Sequence, residues 1–214
     1  VIEDDMGHKI RLCKPAESGV TAYTNAGKIF RFDPYADHFR LLADLGKRLR
    51  RPIYLYSLTV DGTQAYACTS EGVYKIGAGW KQINRIHHAE TADIALDSAF
   101  IYMATDEGLY RLPKTGKRGG GGIFSGVNVQ TVFLDRQTGL LWAGTKHQGV
   151  LLYDRRKGRH VAALSLETLP DKTCRSISGY DKQTLLLGID GEGVYAARRN
   201  GTAAWKLLST EGSA

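Results

Sequence analysis

Leu140-Leu141-Trp142-Ala143-Gly144-Thr145-Lys146-His147-Gln148-Gly149-Val150-Leu151-Leu152-Tyr153-Asp154 reads as two short β-prone runs joined by a polar turn that ends on glycine. Outward from it, Val129 to Asp135 and His160 to Ser165 are further runs of the same kind. The connections Arg136-Gln137-Thr138-Gly139, Lys146-His147-Gln148-Gly149 and Arg155-Arg156-Lys157-Gly158 supply glycine or polar residues wherever the chain must reverse. Four short strands in succession make one antiparallel sheet.

The same unit recurs. A turn glycine followed by alternating apolar residues is found at Asn25-Ala26-Gly27-Lys28-Ile29-Phe30, Ser70-Glu71-Gly72-Val73-Tyr74, Asp106-Glu107-Gly108-Leu109-Tyr110, His147-Gln148-Gly149-Val150-Leu151 and Gly191-Glu192-Gly193-Val194-Tyr195. These glycines lie 45, 36, 41 and 44 residues apart, a spacing that fits a four-stranded propeller blade and exceeds ankyrin and leucine-rich repeats. The fold class is therefore all-β: a β-propeller of four-stranded antiparallel blades, five in number, either closed or part of a larger propeller. It fills residues 1–214 as one domain, with blades at 8–46, 53–89, 92–125, 129–166 and 174–210. Each glycine is expected to begin the third strand of its blade.

An aromatic stands three residues before a threonine in three second strands: Tyr66 and Thr69, Tyr102 and Thr105, Trp142 and Thr145. The aromatics read as packing between neighbouring blades, and the fifth copy puts Leu186 and Ile189 at these positions. From Phe39 to Arg51 the leucines 41, 42, 45 and 49 fall at helical spacing, which predicts a fourth strand running into a short helix. The glycine run 119–122 reads as a flexible connection after the third strand of its copy.

The second to third strand segment of the fourth copy, Leu140 to Asp154, resembles the two-component regulator propeller repeat. That family's pattern runs Asp, Gly, Leu-Trp-Ile-Gly-Thr, a turn, Gly-Gly-Leu, then a tyrosine and an aspartate before a Thr-Gly turn. The copies around Thr105-Asp106-Glu107-Gly108-Leu109-Tyr110 and Gly191-Glu192-Gly193-Val194-Tyr195 are similar but degenerate, and the first copy is the weakest. The resemblance implies the periplasmic sensor of a hybrid two-component system, in which oligosaccharide binding outside the membrane controls a histidine kinase inside. No kinase, membrane span or Ig-like module lies within these residues, and family sensors carry more blades than five. The chain also starts on Val1 within a repeat-like pattern, so it is expected to be a piece of a longer protein, with edges that self-associate or meet further blades.

Composition bounds the chemistry. A net charge of +7 favours anionic partners without identifying nucleic acid, and none is expected. No apolar run approaches the roughly 18 residues of a membrane span, and Val1-Ile2-Glu3-Asp4-Asp5 has no signal-peptide character. Cys13, Cys68 and Cys174 are odd in number and lack metal-ligand spacing; Cys68 reads as a core residue. His87 and His88 are adjacent and would point to opposite faces of a strand, so no metal is expected. Asp61, Asp97, Asp135 and Asp181 precede their turn glycines by 11, 11, 14 and 12 residues. A catalytic carboxylate is needed once, a turn-forming aspartate in every blade, so the domain is read as non-enzymatic and without cofactor.

Two candidate surfaces follow from the up-and-down blade. Turns between second and third strands, with the blade-to-blade connections, offer His87, His88, Asp106, Glu107, His147, Gln148, Asp190 and Glu192 as hydrogen-bonding groups for sugar hydroxyls. The tips between third and fourth strands carry Lys114, Lys117, Arg118, Arg155, Arg156, Lys157, Arg159, Arg198 and Arg199, a basic face that would favour a sulfated or uronic-acid-bearing oligosaccharide. The alternative is a non-catalytic scaffold for protein partners. The Trp-Asp pair that such a scaffold of the WD40 kind would carry in each blade does not occur.

Overall fold

The computed structural model describes residues 10–12, 20–116, 120–161 and 172–208. They form five four-stranded antiparallel sheets, each a simple meander in chain order. The first holds β1 (Ile10–Leu12), β2 (Thr21–Thr24), β3 (Lys28–Asp33) and β4 (His38–Asp44), followed by helix α1 (Leu45–Leu49). The second holds β5 (Leu55–Asp61), β6 (Gln64–Thr69), β7 (Gly72–Ile76) and β8 (Ile83–His87). β9 (Thr91–Leu96), β10 (Phe100–Thr105), β11 (Gly108–Pro113) and β12 (Gly121–Ser125) make the third. The fourth is β13 (Val129–Leu134), β14 (Leu140–Thr145), β15 (Val150–Asp154) and β16 (Arg159–Val161), and the fifth β17 (Cys174–Gly179), β18 (Thr184–Ile189), β19 (Gly193–Arg198) and β20 (Ala204–Leu208). This is the blade pattern of a β-propeller. The chain divides into two compact units, Val1–Ala92 and Asp93–Ala214, where the sequence reads as one domain.

Within each unit neighbouring sheets share a core. In the first, Tyr23, Ile29, Ala43 and Leu45 pack with Leu55, Leu58, Tyr74 and Ile76 of the next sheet. In the second unit, Tyr102, Leu109 and Phe124 meet Val129, Val132 and Leu141, and Trp142 and Leu152 meet Ile177, Leu185 and Leu187. The strand-two aromatics Tyr102 and Trp142 thus pack between sheets as expected. A sheet that buries residues on both faces needs a neighbour on each, and this makes each unit cohere.

The repeat glycines occupy equivalent places. Gly72, Gly108 and Gly193 begin third strands, and Gly27 and Gly149 stand one residue before theirs. All five have positive φ, from 60° at Gly149 to 153° at Gly108. At Gly72 and Gly108 the reason is also steric, because a Cβ would overlap the carbonyl oxygens of His87 and Phe124 in the adjacent fourth strand. The same strand pairs slip register one step further along, between Val73 and Tyr74 and between Leu109 and Tyr110. Equivalent bulges lie between Ile29 and Phe30 and between Val194 and Tyr195.

Two local expectations meet different outcomes. The helix after β4 is present: the Asp44 carboxylate accepts from the Lys47 amide at 2.9 Å, Leu45 is buried, and Arg50 ends the turn at φ 55°. The glycine run is not only a connection. Gly121 and Gly122 are paired residues of β12, opposite Arg111 and Tyr110. A Cβ on Gly122 would stand 2.8 Å from the Ser125 hydroxyl and 3.4 Å from the Tyr110 ring, so a side chain there would require Ser125 to turn aside, whereas Gly121 has open space around it.

Gly108→Ala is expected to destabilise the protein by about 3 kcal/mol, since strain at its φ adds to a clash with backbone. Gly126→Ala, at φ 75° with open space around the new methyl, should cost only about 1 kcal/mol. Urea unfolding of the two variants checks the difference.

Candidate functional site

The turns between second and third strands are held from both sides by a buried threonine. The hydroxyls of Thr69, Thr105 and Thr145 donate to the carbonyls of Gly72, Gly108 and Gly149 at 2.8, 2.9 and 3.0 Å. The same oxygens accept the amides of Glu71, Glu107 and Gln148. In the second, fourth and fifth sheets the turn is also tied to the start of its own sheet. Amides of Ser70, Lys146 and Asp190 donate to the carbonyls of Tyr54, Asn128 and Thr173, the residues just before β5, β13 and β17. Turn and strand start are therefore one rigid surface within each of these three sheets.

On that surface the first strand carries a bulge. Pairing with the second strand skips from Leu55 to Ser57, from Val129 to Thr131 and from Cys174 to Ser176. The skipped residues, Tyr56, Gln130 and Arg175, are left out of the ladder, and such insertions re-aim a side chain.

In the first unit the Tyr56 hydroxyl donates to the Glu90 carboxylate at 2.6 Å, and its carbonyl accepts from the Tyr23 hydroxyl at 3.0 Å. Burial, with the Glu90 carboxylate beside it, raises the Tyr56 phenol well above its ordinary range. Tyr54 lies against Tyr56 with ring centroids 4.9 Å apart, and the residue is 41% exposed. Next to them Arg51 reaches Glu71 at 3.2 Å and the Tyr74 hydroxyl at 2.6 Å. In the second unit Arg175 meets Asp190 at 2.9 Å and Gln130 at 3.4 Å, while Gln130 donates to Asn128. Glu192 accepts from Lys172 and from Lys206, and both cations pull its carboxyl below the usual range.

Of the residues singled out from sequence, Asp106, Glu107, His147 and Gln148 are exposed at the turns. Asp190 and Glu192 are tied to cations. His87 ends β8 half-buried; burial first, then the nearby His88 and Arg85, lowers its pKa, so the ring is neutral at pH 7. The His88 carbonyl accepts from Arg85. Tyr54, Tyr56, Glu90, Asn128, Gln130 and Arg175 were missed. Their signal is an apolar spacing of three where a strand should show two: Leu55 to Leu58, Val129 to Val132, Cys174 to Ile177.

The basic tips divide. Lys117 and Arg118 lie outside the described residues. Arg156, Lys157, Arg159 and Arg198 are exposed and Lys114 is half-buried. Arg155 and Arg199 instead reach into the preceding sheet, where Arg155 pairs with Asp97 at 2.6 Å and Arg199 with Asp135 at 2.7 Å. Both aspartates also form the turns read from sequence. Asp97 accepts the amides of Ala99 and Phe100 at 2.7 Å and the Tyr102 hydroxyl at 2.9 Å; Asp135 accepts from Gln137 and Thr138. Asp181 accepts Gln183 and Thr184 amides in the same way. Cys68 and Cys174 are buried, and burial pushes the Cys174 thiol up to about 12. Among the described residues no three His, Cys, Asp or Glu side chains converge as a metal site would require, and no helix is long and apolar enough to cross a membrane.

Two solved structures share this fold. The extracellular domain of a candidate hybrid two component system from B. thetaiotaomicron superposes with a TM-score of 0.73 at 13% identity over 95% of this chain. The computationally designed Ika8 protein superposes with a TM-score of 0.66 at 14% identity over 96%. The chain spans 29% of the first and 63% of the second, less than two thirds of either. No protein-family model and no curated protein matches the sequence. The likeness is thus one of fold, to an array of propeller blades used in one case as an extracellular domain.

The buried latches and the exposed pairs should behave differently. Arg199→Ala leaves Asp135, 1% exposed, without its cation and is expected to cost about 3 kcal/mol, whereas Arg175→Ala at an exposed pair should cost under about 1 kcal/mol. For Asp97, burial would raise the pKa, but the Phe100 and Ala99 amides, Tyr102 and Arg155 outweigh it and lower it. A carboxyl lowered on folding stabilises at neutral pH, and that contribution is lost as pH falls from about 4 through the folded value. Thermal unfolding from pH 6 to 2 should therefore show a steeper acid loss in the wild type than in Asp97→Asn.

Proposed function

We propose that the chain is the ligand-sensing part of an extracytoplasmic two-component regulator, located in the periplasm, which binds an oligosaccharide and passes a conformational bias to a membrane histidine kinase. The observation that carries this reading is the set of bulged first-strand residues. Tyr56 in the first unit, and Gln130 and Arg175 in the second, each stand outside the ladder of their own sheet, where backbone hydrogen bonds fix the neighbouring turn, beside carboxylates and amides that can exchange hydrogen bonds with hydroxyls. The fold likeness to an extracellular domain of a candidate hybrid two component system supports the regulator part, and the regulator-like repeat at Leu140 to Asp154 points the same way.

The reading is of binding without turnover. Of the recurring aspartates, Asp97, Asp135 and Asp181 are consumed by turns and latches rather than set apart for hydrolysis. A glycan with sulfate or uronic acid is the second class to test, because Arg156, Lys157, Arg159 and Arg198 remain exposed. Its binding would fall steeply with salt, since charges more than about 8 Å apart are screened at physiological ionic strength.

Isothermal titration against neutral and acidic oligosaccharides is expected to give saturable binding with no change in oligosaccharide length by chromatography. Arg175→Ala should weaken binding more than Arg156→Ala combined with Lys157→Ala. The reading frame containing the chain should encode a membrane span and a kinase; a frame with neither, or a chain that binds no oligosaccharide, overturns the proposal.

A further inference from the structure

We infer that Tyr54, Tyr56 and Glu90 form a stacking platform for the flat face of a neutral pyranose ring, which deepens the oligosaccharide reading above and rests on it. The platform belongs wholly to the first unit. Tyr54 is a large aromatic that no packing demand keeps at the surface: the next residue, Leu55, is fully buried and carries the core contact at this place. Its backbone is held at both ends, the amide by the Ser70 hydroxyl at 3.2 Å and the carbonyl by the Ser70 amide at 3.0 Å. Tyr56 lies behind it, rings tilted by 47°, and is fixed in turn by Glu90 and Tyr23. A surface ring whose backbone and flank are already ordered loses little freedom when a ligand covers it.

The geometry selects the ligand. Two aromatic rings with a carboxylate can also hold an alkylammonium, but a cation held between rings needs room between them. With centroids 4.9 Å apart and planes tilted by 47° the two rings are in contact, leaving no gap for a cation between them, and Tyr54 offers its outward face with Tyr56 as backing. Such a face takes a flat partner with polarised C–H bonds on one side, as a pyranose has, and adds dispersion contact over the area of a ring. Glu90 supplies what stacking lacks. Its carboxylate already accepts the Tyr56 hydroxyl, is otherwise exposed, and has acceptor positions left for ring hydroxyls at the platform edge. A uronate or sulfate at that edge would meet the carboxylate as a like charge, and this separates the platform from the basic tips.

The test uses the full chain and titrates cellohexaose, maltohexaose, xylohexaose, mannohexaose and hexagalacturonate by calorimetry, with tetramethylammonium as a cation control. At least one neutral hexasaccharide should bind, Tyr54→Ala should weaken it about tenfold or more, and Tyr54→Phe should stay within about threefold, since the ring face and not the hydroxyl is used. Should Tyr54→Ala fail to fold by circular dichroism, Tyr54→Leu keeps the apolar contact without the flat face and should show the same loss. Glu90→Gln should weaken neutral binding and not improve it. Undiminished neutral binding in Tyr54→Ala or Tyr54→Leu, tetramethylammonium binding that requires both tyrosines, or binding of hexagalacturonate alone overturns the platform while leaving an oligosaccharide sensor standing. Binding of none of the five oligosaccharides overturns both.

Discussion

A backbone carbonyl stands where a Cβ on Gly72 or Gly108 would have to go, and the arrangement of the second and third sheets follows from that crowding. The fourth strand can approach the third so closely only because the third begins on a residue with no side chain and a positive φ. The close approach is followed at once by a bulge, which lets the fourth strand resume ordinary pairing. The buried threonine four or three residues earlier completes the turn from inside. Where the fifth sheet has Ile189 instead, the turn closes through backbone alone, the Glu192 amide reaching the Ile189 carbonyl at 3.1 Å. Glycine is thus the fixed requirement and the hydroxyl a reinforcement.

The sequence made these turns readable because every constraint in them is local. Glycine, threonine and the aspartate turns all act within a few residues, so their recurrence could be counted along the chain. The latches were not readable. Arg155 and Arg199 sit 58 and 64 residues from Asp97 and Asp135, and a run of basic residues at a hairpin tip looks the same whether it faces water or a neighbouring sheet. Reading all of them as one basic face overlooked that a turn aspartate keeps an oxygen with lone pairs to spare. Once it is buried, that oxygen draws in a cation.

The candidate surface shows a similar division. Turn positions such as Asp106 and His147 were found because they flank the repeat glycine. The bulged residues lie inside strands, where alternation assigns them to one face or the other, and only a break in that alternation betrays them. The stretch Leu55-Tyr56-Ser57-Leu58 contains the break, with two apolar residues separated by an even number of intervening positions. Gly121 and Gly122 erred the other way: composition suggested slack chain, yet both are paired residues of β12, opposite Arg111 and Tyr110.

The arginine latches give the array a direction. Asp97 and Asp135 project from the first hairpin of a sheet, and the arginines that reach them come from the third hairpin of the sheet that follows. Every sheet so joined has a socket side and a plug side, and the two are not interchangeable. A twofold axis relating two such arrays would bring socket to socket or plug to plug, carboxylate against carboxylate or guanidinium against guanidinium. The latch therefore serves only head-to-tail succession, and a symmetric pair of chains would have to be built from other surfaces.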